Sequence, residues 1–123
     1  MATQMRRLVP MVFVAEVEGS IEFYKHLGFE VGNTFTQEGA TKPTWAWLQC
    51  GNAQLMVARA DEPSVPEQQR ILFYLYTDDV REAHASLNEA GLNPGEISTP
   101  FYAPRGEFKI VDRDGYVLMI THT

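Results

Sequence analysis

Leu27-Gly28-Phe29 is answered by Ala90-Gly91-Leu92, and Gln54-Leu55-Met56-Val57 by Val117-Leu118-Met119-Ile120, each pair 63 positions apart in the chain. The same offset carries residues 14–17 onto 77–80 and matches Glu16 with Asp79. One offset sustained across a helix and several strands means two copies of one supersecondary unit. Two copies are too few for an open solenoid, which needs about three or more. The expectation is a pseudo-twofold α+β domain whose two copies line a space between them.

Each copy reads as β-α-β-β-β. The apolar, β-forming run of residues 8–14 predicts a buried strand. Apolar residues at 17, 21, 24 and 27 have helical spacing, and Gly28 is a natural stop. Strands are expected over residues 29–37, 44–50 and 53–60, the last two joined by Gly51-Asn52, a two-residue hairpin signal. In the second copy a strand is expected over residues 70–77. Asp78 or Asp79 would cap a helix with Val80, Ala83, Leu87 and Ala90 on one face. A short strand follows over residues 95–99, then a loop over 100–106. Strands over 107–111 and 116–121 flank Asp112-Arg113-Asp114-Gly115. The expected organisation is thus a first module over residues 7–60, a linker over 61–69 with two prolines, and a second module over 70–123.

Bulk properties narrow the function. A chain of 123 residues fits one domain and buries roughly two-thirds of its unfolded surface. Ten Lys and Arg against 16 Asp and Glu give a net charge of −6, with no basic stripe, which disfavours nucleic acid as partner. A single cysteine, Cys50, allows no internal disulfide and suits a cytoplasmic location. The apolar run after Arg6 and Arg7 lacks a signal-peptide cleavage site and falls far short of the roughly 20 residues a membrane span needs.

Three stretches together carry a family resemblance. They are residues 20–24 with Leu27-Gly28-Phe29, then Thr77-Asp78-Asp79-Val80, then Gly106-Glu107-Phe108 running to Asp112-Arg113-Asp114-Gly115. In order and spacing the chain resembles the vicinal oxygen chelate superfamily of glyoxalase I, bleomycin-resistance proteins, fosfomycin-resistance enzymes and extradiol dioxygenases. The resemblance implies two βαβββ modules forming a cleft-bearing curved sheet, and commonly a homodimer. It also implies that metal-using members carry one ligand on the first and last strand of each module. Carried onto this sequence, those positions are Val9, Met56, Leu72 and Met119. Divalent metals in such sites need imidazole or carboxylate donors, and a thioether suits only Cu(I). The resemblance is therefore to the metal-free, bleomycin-resistance-like branch, with no metal and no cofactor expected.

Strand alternation predicts the lining of the cleft. Val9 brings Met11 and Phe13 to it, Met56 brings Gln54 and Ala58, Leu72 brings Tyr74 and Tyr76, and Met119 brings Val117 and Thr121. Trp45 and Trp47 share a face, and the 63-residue offset makes Phe108 and Ile110 their counterparts. The candidate ligand-binding residues are Phe13, Trp45, Trp47, Met56, Tyr74, Tyr76, Tyr102, Arg105, Phe108 and Met119, with Tyr102 and Arg105 on a mobile lip. This aromatic, methionine-rich lining suits a planar organic or cationic ligand. The same surface would also serve as packed core or dimer interface. Glu107 beside Tyr102 could act as general base with a Tyr acid, but reads first as a solvated strand-end carboxylate. His26 and His84 read as structural or surface residues, His122 as frayed, and Cys50 as inert.

Three functions are consistent with these residues. One is a metal-free protein that sequesters an aromatic or cationic small molecule. Another is a metal-independent, or unconventionally metallated, lyase or isomerase. The third is a dimeric interaction module without a ligand. The acids Glu16, Glu18, Glu38, Asp61 and Glu62 are scattered rather than concentrated on the cleft strands, which disfavours bleomycin itself as the ligand.

Overall fold

The computed structural model describes residue 4, residues 6–63, residue 65 and residues 71–123. Part of the expected linker, and Arg70 at the start of the expected fifth strand, lie outside the described residues. The chain divides into two compact units, Met1–Ser64 and Val65–Thr123.

The first unit holds β1 (Met11–Val14), α1 (Val17–Lys25), β2 (Glu30–Phe35), β3 (Trp45–Cys50) and β4 (Ala53–Arg59). Its sheet has the order β1-β4-β3-β2, with β1 parallel to β4 and the other pairs antiparallel. α1 lies against β2, β3 and β4. Alternation sets the core: Val12, Val14, Ala46, Leu48, Leu55 and Val57 are buried, together with Val17, Ile21, Phe23 and Tyr24 of the helix. β1 is shorter than the run of residues 8–14 suggested, and Leu8 is 86% exposed. Pro10 explains this. Its carbonyl accepts from Met56 N at 2.9 Å, but with no N–H it cannot extend the ladder backwards.

The second unit holds β5 (Leu72–Tyr76), α2 (Val80–Glu89), β6 (Phe108–Val111) and β7 (Val117–Thr121), in the sheet order β5-β7-β6. Phe108, Ile110, Leu118 and Ile120 form its buried sheet face, with Val80 and Leu87 buried on the helix. The expected strand over residues 95–99 is reduced to a bridge between Ser98 and Glu107, with one further bond from Gly95 N to Lys109 O at 2.8 Å. Pro94 and Pro100 bracket this segment and limit its pairing.

The repeat survives in the hydrogen bonding. In the first unit Gly28 N donates to Lys25 O and Phe29 N to Tyr24 O; in the second Gly91 N donates to Asn88 O and Leu92 N to Leu87 O. Both are Schellman closures, and both glycines have positive φ (+89° and +80°), which a side chain would strain. The ladders repeat as well: Met11 pairs with Met56 and Tyr74 with Met119, both members displaced by 63 residues. The result is a mixed α+β fold built on the βαβββ plan, with seven strands and two helices among the described residues.

The offset fails in one strand. Trp47 pairs with Met56 in the first sheet, whereas Lys109 pairs with Met119 in the second. The counterpart of Trp47 is therefore Lys109, 62 positions on, and not Ile110. The turns account for the slip. Gly51-Asn52 closes the first hairpin with two residues between Cys50 and Ala53. In the second, Asp112 N bonds Tyr116 O at 3.0 Å around Arg113-Asp114-Gly115, one residue more. Asp112 Oδ1 accepts from Asp114 N and Tyr116 N, both at 2.9 Å, and fixes the longer tip. One extra residue reverses which side chains of β6 face which side of the sheet.

Candidate functional site

Each sheet has one face turned toward its helix and one face left open. On the open face of the first sheet stand Met11 and Phe13 of β1, Met56 and Ala58 of β4, and Trp45 and Trp47 of β3. Phe35 of β2 pairs with Trp45 and lies on the same face. Phe13 and Phe35 are exposed, and both tryptophans and Met56 are half-buried. Trp47 is seated against the backbone of Gly32, at the bulge of β2, where a Cβ would lie 2.9 Å from the indole Cδ1.

On the open face of the second sheet stand Leu72, Tyr74 and Tyr76 of β5, all exposed, with half-buried Val117 and Met119 of β7 and exposed Lys109 and Val111 of β6. Tyr74 and Tyr76 thus lie where alternation placed them. Phe108 does not. It is 2% exposed and meets the ring of His84 edge-on, with centroids 5.0 Å apart. The longer Asp112–Tyr116 turn puts Phe108 and Ile110 on the helix side, which corrects the expectation that Phe108 lines the open face. His84 is a structural residue: its Nε2 lies 2.9 Å from Gly95 O and ties α2 to the segment before Ser98.

The slip that removes Phe108 brings Glu107 onto the open face. One step beyond the β6–β7 pairs, Glu107 falls opposite Thr121, which pairs with Tyr76. Its counterpart by the 62-residue spacing is Trp45. Glu107 is not the solvated strand-end carboxylate expected of it but is 4% exposed. Oε1 accepts the Tyr102 hydroxyl at 2.7 Å, and Oε2 is buried with no hydrogen-bond partner. Hydrogen bonding to Glu107 raises the Tyr102 phenol above its ordinary pKa. Desolvation, the Glu107 charge and the nearby Tyr74 add to this in that order.

The segment over residues 100–106 is built around two short turns, Ala103 N to Pro100 O and Gly106 N to Ala103 O, both 2.9 Å. Ala103 is buried, while Phe101 and Tyr102 are exposed and meet edge-to-face at 5.4 Å. Gly106, at φ +106°, sets the direction of Glu107. A Cβ there would lie 2.7 Å from Ile97 Cγ2. Arg105 turns away from Glu107. Its backbone N donates to His122 Nε2 at 3.0 Å, and its Nη2 to the Thr123 oxygen at 2.6 Å. His122 is therefore engaged rather than frayed. His26 is exposed, and Cys50 is half-buried near Gly28.

The Glyoxalase/Bleomycin resistance protein/Dioxygenase superfamily matches residues 7–120. The chain belongs to that superfamily. No curated protein matches it in sequence. Among solved structures it is similar to a bleomycin resistance determinant encoded on the transposon Tn5, at 19% identity and a TM-score of 0.74, over 97% of this chain and 98% of that one. It is also similar to a bleomycin-binding protein complexed with bleomycin, at 19% and 0.73 over 97% and 99%. A third is TnmS3, an antibiotic binding protein from Streptomyces sp. CB03234, at 18% and 0.77 over 99% and 98%. At these identities the likeness is one of fold.

The metal used by some members of the superfamily does not fit the residues present. Met56 and Met119 occupy equivalent places on β4 and β7, Leu72 opens β5, and half-buried Val9 precedes β1. None offers an imidazole or a carboxylate. Among the described residues no three His, Cys, Asp or Glu gather where they could hold an ion. Nor, among them, is any helix long and apolar enough to cross a membrane.

Proposed function

We propose that this protein is a metal-independent binder that sequesters an aromatic or cationic small molecule, in the manner of the bleomycin-binding members of its superfamily. The observation that carries the reading is the pair of open sheet faces. Phe13, Trp45, Trp47 and Met56 line one, and Tyr74, Tyr76 and Met119 the other. Surface of this kind is costly to leave in water and suits stacking on a planar ligand. Two bleomycin-associated proteins and an antibiotic-binding protein of the same fold support the class of ligand. The protein works as a homodimer in the cytoplasm in this reading, and Tyr102 and Arg105 border the site.

The test is isothermal titration with bleomycin and a panel of aromatic cations, with metal content and sedimentation measured on the same sample. Saturable binding of an organic ligand by metal-free dimer supports the proposal. A stoichiometric metal with no organic ligand bound refutes it. The Tyr102–Glu107 hydrogen bond favours one rival, a metal-independent lyase or isomerase with that pair as acid and base. Turnover of excess ligand, in place of one-to-one protection, decides for the enzyme.

A further inference from the structure

Glu107 is a carboxylate enclosed on an aromatic sheet face with half of its acceptor capacity unused. Oε1 is taken by Tyr102, and Oε2 is buried and has no partner. Glu107 pairs with no cation among the described residues. Arg105, the nearest cation in sequence, is committed to His122 and Thr123. Lys109 shares the face two residues on, but its side chain is exposed and forms no ion pair with Glu107. A buried carboxylate oxygen without a donor is strongly destabilising in a folded protein. A group that brings a donor to it gains the full strength of a charge-assisted hydrogen bond.

We propose that Glu107 Oε2 is the anchor for a protonated nitrogen of the bound compound, an ammonium or amidinium, while Tyr74, Tyr76 and Tyr102 supply the aromatic walls. The inference rests on the binding reading above and names the residue that selects a cation within it. A carboxylate that belongs to no group of three His, Cys, Asp or Glu among the described residues selects an N–H donor rather than a metal ion. The Tyr102 ring bonded to this carboxylate and the nearby Tyr74 favour the same occupant through cation–π attraction. Tyr102 borders this carboxylate: its ring is 58% exposed, and its hydroxyl is bonded to Glu107.

The experiment compares two probes of one shape, 2-naphthylmethylammonium and neutral 2-naphthalenemethanol, by isothermal titration against wild type and Glu107→Gln. The expected result is that wild type binds the ammonium at least tenfold more tightly than the alcohol. Glu107→Gln then removes that preference and leaves the alcohol within twofold. In wild type, carboxyl-detected NMR should show the Glu107 carbon shifting with the ammonium and not with the alcohol, a readout that holds even if Glu107→Gln fails to fold. Equal binding of both probes, or a Glu107 signal unmoved at saturating ammonium, overturns the cation anchor and leaves the binding reading standing. Failure of both probes to bind at millimolar concentration overturns both.

Discussion

The Tyr102 hydroxyl donates to Glu107 Oε1 at 2.7 Å, so a largely exposed ring is tethered to a buried carboxylate. The phenol gives up its proton at higher pH in the folded protein than in the unfolded chain, because ionising it would set two negative charges together. A raised folded pKa contributes stability that is complete below the ordinary phenol value of about 10 and is lost as pH rises through the folded value. Phenolate absorbance, read as wild type minus Tyr102→Phe, should show Tyr102 ionising above the ordinary value. Glu107→Gln should bring it back down.

Asp79 accepts the Glu82 backbone N–H at 3.0 Å and so satisfies one of the orphan donors of α2. Asp79→Ala should cost about 1 kcal/mol, and Asp79→Asn a few tenths. Urea denaturation of the two variants checks the ordering. An equal loss in both would assign the effect to the helix dipole rather than to the bond.

Gly106 combines a φ of +106° with an approach to Ile97 that has no room for a methyl group. Gly106→Ala should lower stability by about 1–3 kcal/mol. It should also release Glu107 from Tyr102, which would appear as a downward shift of the Tyr102 titration. A variant as stable as wild type would mean that the loop re-forms without strain.

Leu55 and Leu118 are equivalent core residues, each in the last strand of its unit, and both are buried. Truncation of either to Ala should cost about 2–5 kcal/mol. The better-enclosed Leu118 should lie at the upper end. The denaturant midpoints of the two variants give the comparison directly.

The fold was legible because its signals were local and repeated. Gly28 and Gly91 marked two helix ends that close with the same pair of bonds, and Asp79 read as a cap and is one. Strand alternation placed Phe13, Trp45, Trp47, Tyr74 and Tyr76 on open faces. What failed was the register of β6. Extending the 63-residue offset through Asp112–Tyr116 took that turn to be as short as Gly51-Asn52, and it is one residue longer. That single step put Phe108 on the wrong face. The difference was present in the letters, since Asp112-Arg113-Asp114-Gly115 does not align with Gly51-Asn52 without a gap. The burial of Glu107 had no such signal. It depends on the Tyr102 hydroxyl and the Ser98 bridge meeting at Glu107 in three dimensions.

That longer turn does to the sheet what a frameshift does to a reading frame. The backbone of β6 is unchanged, yet every side chain along it has exchanged inside for outside. Where one half of the molecule displays an indole, the other displays an acid. A duplicated unit can therefore acquire a chemically new surface through one inserted residue at a hairpin tip, with no substitution in the strand itself. Members of this fold with turns of different length will present different faces from strands that look alike in alignment.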